Sequence, residues 1–281
     1  TISRFNIFEL IDAIYDSDIV IYGGGGLLQD ITSTKSFLYY SSIIWLSLMF
    51  QKPVILFGNS LGPVKKLTDR FILKSILKNK NVFLFARDLV SYRYGKWLNS
   101  NTVLSSDPSV RHLKKFQAQK SDIYDLLIVP RKNSNIEKYD ILKKYFQRII
   151  VCPAQKTDIQ IARTIANRLG CDLFENVDNT EELLSLILSS NFVISERFHP
   201  LLVAAYFGIP FISLEGVKTI RFFAKYTDRR EFFVKDTVDV FKRIEIVKSN
   251  PLNLKDAMDE EAEKSFKELY RLMIKLSSRM R

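Results

Sequence analysis

Short apolar runs alternate with amphipathic stretches along almost the whole chain. "DIVIYG" (18–23), "PVILFGN" (53–59), "NVFLFARD" (81–88) and the start of "TVLSSDPS" (102–109) are apolar without in–out alternation. Strands buried on both faces read this way, which is the pattern of a parallel sheet covered by helices. Between them, "KSFLYYSSIIWLSLMF" (35–50) has a broad apolar face. "TDRFILKSILKN" (68–79) and "LVSYRYGKWLN" (89–99) carry helical spacing, the first with Thr68 or Asp69 as its expected cap.

The pattern breaks at "RHLKKFQAQKSD" (111–122), which is polar and without period, and then restarts. Strands are predicted in "YDLLIVPR", "RIIVCPAQ", "DLFENV", "NFVISE" and "IPFISLEG". Helices are predicted in "SNIEKYDILKKYFQ", in "TDIQIARTIANRLG" ended by Gly170, in "NTEELLSLILSS" with Thr180 in front, and in "HPLLVAAYFG" closed by Gly208. A long amphipathic stretch closes the chain, acidic at its start and basic at its end, in agreement with the helix dipole. The organisation expected is an N-terminal α/β domain over 1–115, a C-terminal α/β domain over 122–255, and a helix over 256–281 that can pack back on the first domain. Two Rossmann-like parallel sheets would face a cleft, and ligands of such sheets sit at the carboxyl ends of the strands.

Composition narrows the setting. No apolar run reaches membrane-spanning length, and "TISRFNIFEL" has no signal-peptide layout, so a soluble cytoplasmic protein is expected. Lys and Arg number 42 against 31 Asp and Glu, a formal charge of +11, which suits anionic partners. The densest basic clusters, "PVKKLTDR", "LKNKN" and "HLKKFQ", read first as solvated helix ends and turns; without interleaved aromatics they are weak evidence for nucleic acid, and no nucleic-acid partner is expected. Cys152 and Cys171 have no paired spacing and read as buried free thiols. With His112 and His199 the only histidines, a structural zinc site is not expected, and no metal or cofactor is predicted. His112, in the polar break, reads as a surface residue.

Two stretches carry candidate chemistry. Gly23, Gly24, Gly25 and Gly26 follow the first strand and are followed by Gln29 and Asp30. The run lacks the third glycine of a dinucleotide loop and the Gly-Lys-Ser/Thr of a P-loop. A tight turn that packs a helix on the sheet competes here with close approach of a ligand or of a facing domain. The second stretch is "VISERFHPLLVAAYFGIP". A strand ends at Ser195, and a helix is expected from about Pro200 as its first residue. Arg197 offers a planar fork for carboxylate or phosphate, and His199, two residues on, a proton-transfer group. A structural cap or core role competes for a lone histidine, and the adjacent Arg at a strand end favours function.

These residues resemble the polysaccharide pyruvyl transferase family. The resemblance is carried by "GGGGLLQD", by Leu61-Gly62-Pro63, by Arg87, Asp88 and Ser91, by Asp107-Pro108, by Pro153, Gln155 and Asp158, and by Ile194-Ser195-x-Arg197-x-His199 before a helix and Gly-x-Pro. It implies a two-domain fold similar to GT-B glycosyltransferases, with the first βα unit of the first domain missing from this sequence. It implies transfer of a pyruvyl group from phosphoenolpyruvate to a sugar, as a ketal, without metal. Arg197 and His199 would bind phosphoenolpyruvate and move its protons. Lys218, Arg131 and Ser195 would join Arg197 in holding the donor, and Gly23–Gly26, Gln29 and Asp30 would meet the acceptor. That acceptor is a glycan or a lipid-linked oligosaccharide, so association with the inner face of a membrane is a further expectation. The rival readings are a GT-B glycosyltransferase using a nucleotide sugar, with Glu215 on the ribose, and a non-catalytic glycan- or phosphate-binding protein.

Overall fold

The computed structural model describes residues 6–99, 101–116, 123–214, 216–234 and 237–278. The chain divides into two compact units, one of Thr1–Lys114 with Met258–Arg281 and one of Lys115–Ala257.

The first unit opens with α1 (Ile7–Asp16), a helix the sequence pattern did not signal. It then alternates β1 (Val20–Tyr22), α2 (Thr34–Met49), β2 (Val54–Asn59), α3 (Leu67–Lys78), β3 (Val82–Ala86), α4 (Leu89–Leu98), β4 (Thr102–Leu104) and the short α5 (Val110–Lys115). The strands form a parallel sheet in chain order, β1-β2-β3-β4. Crossovers between parallel strands are right-handed, so a sheet laid down in one direction collects all its connecting helices on one face. Strand residues on that face, Val54, Leu56, Val82 and Leu84, pack with Phe37 and Ile44 of α2 and Leu73, Ile76 and Leu77 of α3. The alternate residues Ile55, Phe57 and Phe85 point the other way and meet Phe266, Leu269, Leu272, Met273 and Leu276. These belong to the C-terminal helix, Lys255–Ser277, whose buried positions 258, 262, 265, 269 and 276 make one helical stripe. The helix is keyed at its middle: the backbone amide of Ser106 donates to the Ser265 hydroxyl at 2.9 Å, and the Phe57 and Phe266 rings meet edge to face with centroids 4.9 Å apart.

The second unit contains β5 (Leu126–Val129), a 3-10 segment (Glu137–Lys144), β6 (Ile149–Val151), α6 (Ile159–Leu169), β7 (Asp172–Leu173), α7 (Thr180–Leu188), β8 (Val193–Ser195), α8 (Phe198–Phe207), β9 (Phe211–Ser213), α9 (Val217–Phe223) and α10 (Thr237–Ser249). Its parallel sheet has the order β7-β6-β5-β8-β9. The direction of winding reverses between β5 and β8, and a crevice at the carboxyl ends of two such strands is where open α/β sheets hold ligands.

Local chemistry corrects several sequence expectations. Residues 137–144 form 3-10 turns in place of an α-helix, with Tyr139 and Leu142, three apart, both buried. Asn179, not Thr180, caps α7, accepting from the amides of Glu181 and Glu182. Neither Thr68 nor Asp69 caps α3, which starts at Leu67. Pro200 is the third residue of α8, not its first. Gly170 and Gly208 close α6 and α8 in left-handed conformations, as expected. Cys152 is buried and burial pushes its thiol up to about 12, whereas Cys171, expected to be buried, is half-exposed and raised to about 11. His112 is exposed on α5. Among the described residues no helix is long and apolar enough to cross a membrane.

Leu269 lies at the centre of the seal between the C-terminal helix and the sheet. Leu269→Ala should lower the unfolding free energy by about 2–4 kcal/mol in urea titration. An unchanged midpoint would mean that the helix does not hold that face.

Candidate functional site

The carboxyl ends of β5 and β8 bring together most of the expected donor residues. Ser195 ends β8 with its hydroxyl turned into the chain: it accepts from the Arg197 amide and lies 2.9 Å from the Arg197 carbonyl oxygen. That bond holds Arg197 extended, at φ −114° and ψ 141°, as the residue before α8. The Ser195 side chain is thus spent on the turn, in place of the donor contact expected of it.

Arg197 is not an open fork. Its Nε lies 2.9 Å from Asp158 Oδ2 and its Nη2 2.5 Å from Asp158 Oδ1. Asp158 is fully buried where a 3-10 turn passes into α6, and it also accepts from the Lys132 amide at 3.0 Å. One carboxylate therefore ties α6, the loop after β5 and the Arg197 side chain. A guanidinium has five N–H donors, and the pair with Asp158 engages two of them. Arg131, half-buried, stands in the same loop beside Lys132.

Glu196, between Ser195 and Arg197, anchors the other flank. Its Oε1 accepts from the Tyr139 hydroxyl at 2.6 Å and from the Ser134 hydroxyl at 2.7 Å, and pairs with the Lys138 ammonium. Burial, and then the adjacent Glu196 carboxylate, keep the Tyr139 phenol protonated well above its usual range. The 3-10 segment is thereby fastened to the end of β8. A glutamate between a strand-end serine and Arg197 was the available signal; its partners, 57 to 62 residues away, were not legible.

His199 is exposed on the first turn of α8, where the dipole favours an anion. The Phe198 ring touches both the His199 ring, at 5.2 Å between centroids, and the Phe222 ring, at 4.9 Å. Lys218 stands one turn before Phe222 on the same side of α9, so Phe198 links the helix that carries Lys218 to the turn that carries His199. Glu215, the candidate ribose contact of the rival reading, lies outside the described residues. Two hollows lie elsewhere on the second unit, one of about 620 Å³ at the amino end of its sheet beside Tyr124, Arg148 and Asp172, and one of about 450 Å³ along α7 from Asn179 to Ser189. Neither includes Arg197 or His199. Among the described residues no three His, Cys, Asp or Glu side chains are grouped as a metal ion would require.

In the first unit the glycine run answers largely to the unit itself. A Cβ on Gly24 would stand 2.7 Å from Pro108 Cδ, and one on Gly58, whose φ is +66°, would stand 2.3 Å from the same atom. The proline of Asp107-Pro108 thus lies against both backbones. Gly25 continues β1 by bridging Asn59. Gly26 is half-buried; Gly23 and Gly24 are both exposed, and an added Cβ on Gly23 meets nothing within 4 Å. Gln29 binds Thr32 through both ends of its amide. Asp30 accepts from the Lys65 amide at 2.8 Å and from the Lys66 amide at 2.8 Å, and so caps α3 from 35 residues upstream. The neighbouring motif residues are equally occupied. Arg87 bonds Ser60 and Asp107 in a buried pair, and Asp88 caps α4 through Ser91, whose hydroxyl accepts from the Leu61 amide.

Two parallel α/β sheets of this kind place the chain in the GT-B class of folds. A UDP-GlcNAc 2-epimerase of Methanocaldococcus jannaschii, solved with UDP-GlcNAc and UDP, superposes with a TM-score of 0.59 at 13% identity, covering 95% of this chain and 80% of its own. That of Neisseria meningitidis, bound to UDP-GlcNAc, gives 0.55 at 14% identity, covering 94% and 82%. MnaA of S. aureus, solved with UDP, gives 0.55 at 12%, covering 86% and 70%. At such identities the likeness is one of fold. No curated protein matches the sequence. The polysaccharide pyruvyl transferase family profile matches residues 1–216, and the chain belongs to that family; it is a transferase.

The two glycines give a discriminating pair of substitutions. Gly58→Ala, strained in φ and crowded by Pro108, should cost roughly 2–5 kcal/mol in thermal or urea unfolding. Gly23→Ala should leave stability within about 0.5 kcal/mol, so any loss of activity in it marks a lost contact with a ligand. Asp30 supplies a pH test. Burial raises its pKa, but the amides of Lys66 and Lys65 more than offset this and hold it below the usual carboxylate range. Its contribution is complete above an unfolded pKa of about 3.9 and is lost as the pH falls through the lower folded value. The stability gap between the protein and Asp30→Asn should therefore be constant near neutrality and close below about pH 4. A gap that widens with acid would contradict the capping role.

Proposed function

We propose that this protein transfers a pyruvyl group from phosphoenolpyruvate to a sugar of a polysaccharide or of its lipid-linked precursor, forming a pyruvate ketal. The observation that carries the reading is the pairing of Arg197 with buried Asp158 beside exposed His199, at the switch point of the second sheet. Membership of the family supports pyruvylation in general; the donor and the ketal product are our inference from the chemistry of these residues.

Phosphoenolpyruvate presents a carboxylate and a phosphate. Arg197, held in one orientation by Asp158, offers its remaining N–H groups to one of them, with Arg131 and Lys218 as the other cations of the site. His199 donates a proton to C3, and C2 becomes electrophilic. One sugar hydroxyl bonds to C2, the C2–O bond to phosphate breaks, and a second hydroxyl closes the ketal. Of the two hydroxyl protons, one is balanced by the new C3–H bond and the other leaves on phosphate. No further cofactor is required by this balance. General acid–base work of this kind contributes typically 10²–10⁴-fold. Acceptor recognition we assign to the first unit, where Gly23 is the open member of the glycine run.

The test is thermal unfolding with phosphoenolpyruvate, with a UDP-sugar or with buffer, joined to a turnover assay. Arg197→Ala is a poor probe, since it would leave Asp158 buried without its ion partner at a cost of about 3–5 kcal/mol. Arg197→Lys keeps the charge and loses the fork. Phosphoenolpyruvate should raise the midpoint of the protein and of His199→Gln, and raise that of Arg197→Lys much less. His199→Gln should be inactive, and Asp158→Asn should lose about 10²-fold in kcat/KM through misplacement of Arg197. A rise with the UDP-sugar alone would transfer the protein to nucleotide-sugar chemistry. Full turnover by His199→Gln would remove His199 from the mechanism.

A further inference from the structure

The outward surface of α3 and α4 is basic and apolar at once. On α3, Leu67, Phe71, Lys74 and Lys78 follow at spacings of four, three and four, so they form a single stripe. Leu67 is 79% and Phe71 74% exposed. On α4, Val90, Arg93 and Trp97 make a second stripe, with Val90 53% and Trp97 71% exposed. The Lys74 ammonium lies 5.7 Å from the centroid of the Trp97 ring, which joins the two stripes into one surface. Lys65, Lys66, Arg70, Lys80 and Lys96 surround them and are exposed as well. The segment 64–98 contains two carboxylates, Asp69 and Asp88, and both are buried. Two of the three basic clusters that read as ordinary solvated turns in the sequence, "PVKKLTDR" and "LKNKN", thus border one face, and segment 64–98 places no exposed acid between them.

Exposed cations alone would suit any polyanion. The apolar members decide between partners. Leu67 and Val90 are aliphatic and gain nothing against a phosphodiester backbone, whereas nucleic-acid surfaces pair cations with stacking or hydrogen-bonding groups. A bilayer with anionic headgroups meets both features: it attracts lysines at its surface and accepts Leu, Phe and Trp at the headgroup boundary, where Trp is enriched. We infer that the α3–α4 face docks on an anionic lipid bilayer. This goes beyond the proposed transfer reaction and does not depend on it.

Co-sedimentation of the whole chain with vesicles of phosphatidylcholine, with and without phosphatidylglycerol, tests the inference. Binding should require phosphatidylglycerol and weaken with added salt. Neutralising one lysine at the surface should lower the partition about fivefold, so Lys74→Gln with Lys78→Gln should lower it about 25-fold. Trp45→Phe leaves Trp97 as the single indole of a chain with two tryptophans. Its emission should shift to the blue when anionic vesicles are added. No binding to either vesicle, binding unchanged in the double lysine variant, or an unmoved Trp97 emission would each overturn the inference. So would tight binding to duplex DNA, lost in the same variant, without binding to vesicles.

Discussion

A parallel sheet laid down strand by strand in one direction cannot cover both of its faces with its own crossovers. The right-handedness of those connections puts α2, α3 and α4 on one side of the first sheet and leaves Ile55, Phe57 and Phe85 bare on the other. The C-terminal helix is the answer to that constraint. It arrives after the whole of the second unit has been threaded, and it matches the bare face with one stripe of apolar side chains and one buried hydroxyl, Ser265, which receives the Ser106 amide. The first unit is therefore not continuous in sequence, and its stability depends on a helix whose Ser265 lies 159 positions from the Ser106 amide it receives.

The motifs of the first unit have a common physical task. At the carboxyl ends of its strands, short loops cross close to one another, and each loop needs its amides satisfied. Asp30 serves the amides of Lys65 and Lys66, Asp88 and Ser91 serve α4 and Leu61, and Asp107 pairs with Arg87. Pro108 fills the space that Gly24 and Gly58 leave. A buried network of this kind is stable only when all its members have partners, since a lone buried donor or acceptor costs about 1–3 kcal/mol. Residues that look like ligands in the sequence are here largely the means by which the loops keep one shape. The question raised by four consecutive glycines receives a local answer at Gly24 and an open position at Gly23.

The second unit distributes its polar groups differently. Buried Asp158 and half-buried Glu196 each gather several donors, and both leave a more accessible side chain beside them: Arg197 next to the one, His199 three residues after the other. A carboxylate that engages two N–H groups of a guanidinium restricts the orientations in which the others can be offered. The family to which the chain belongs sets the chemical neighbourhood, pyruvyl transfer to polysaccharide; the solved structures at 12–14% identity share its fold.

Much of the architecture follows from local chemistry. Uninterrupted apolar runs specify buried parallel strands, helical spacing specifies the helices between them, and Gly170 and Gly208 end helices because they alone adopt a left-handed turn there without strain. Arg197 and His199 were legible as a pair because a strand end followed by a helix start is a short-range pattern. What the sequence could not supply were relations between distant residues. Asp30 capping α3, Asp158 holding Arg197, Glu196 gathering Ser134, Lys138 and Tyr139, and Pro108 resting on two glycines all join positions dozens of residues apart. The same holds for the basic clusters of α3 and α4, whose shared face depends on how two helices lie side by side. Side-chain type and spacing fix which elements form; only the packing of those elements decides which polar groups meet, and hence which of them remain for a ligand.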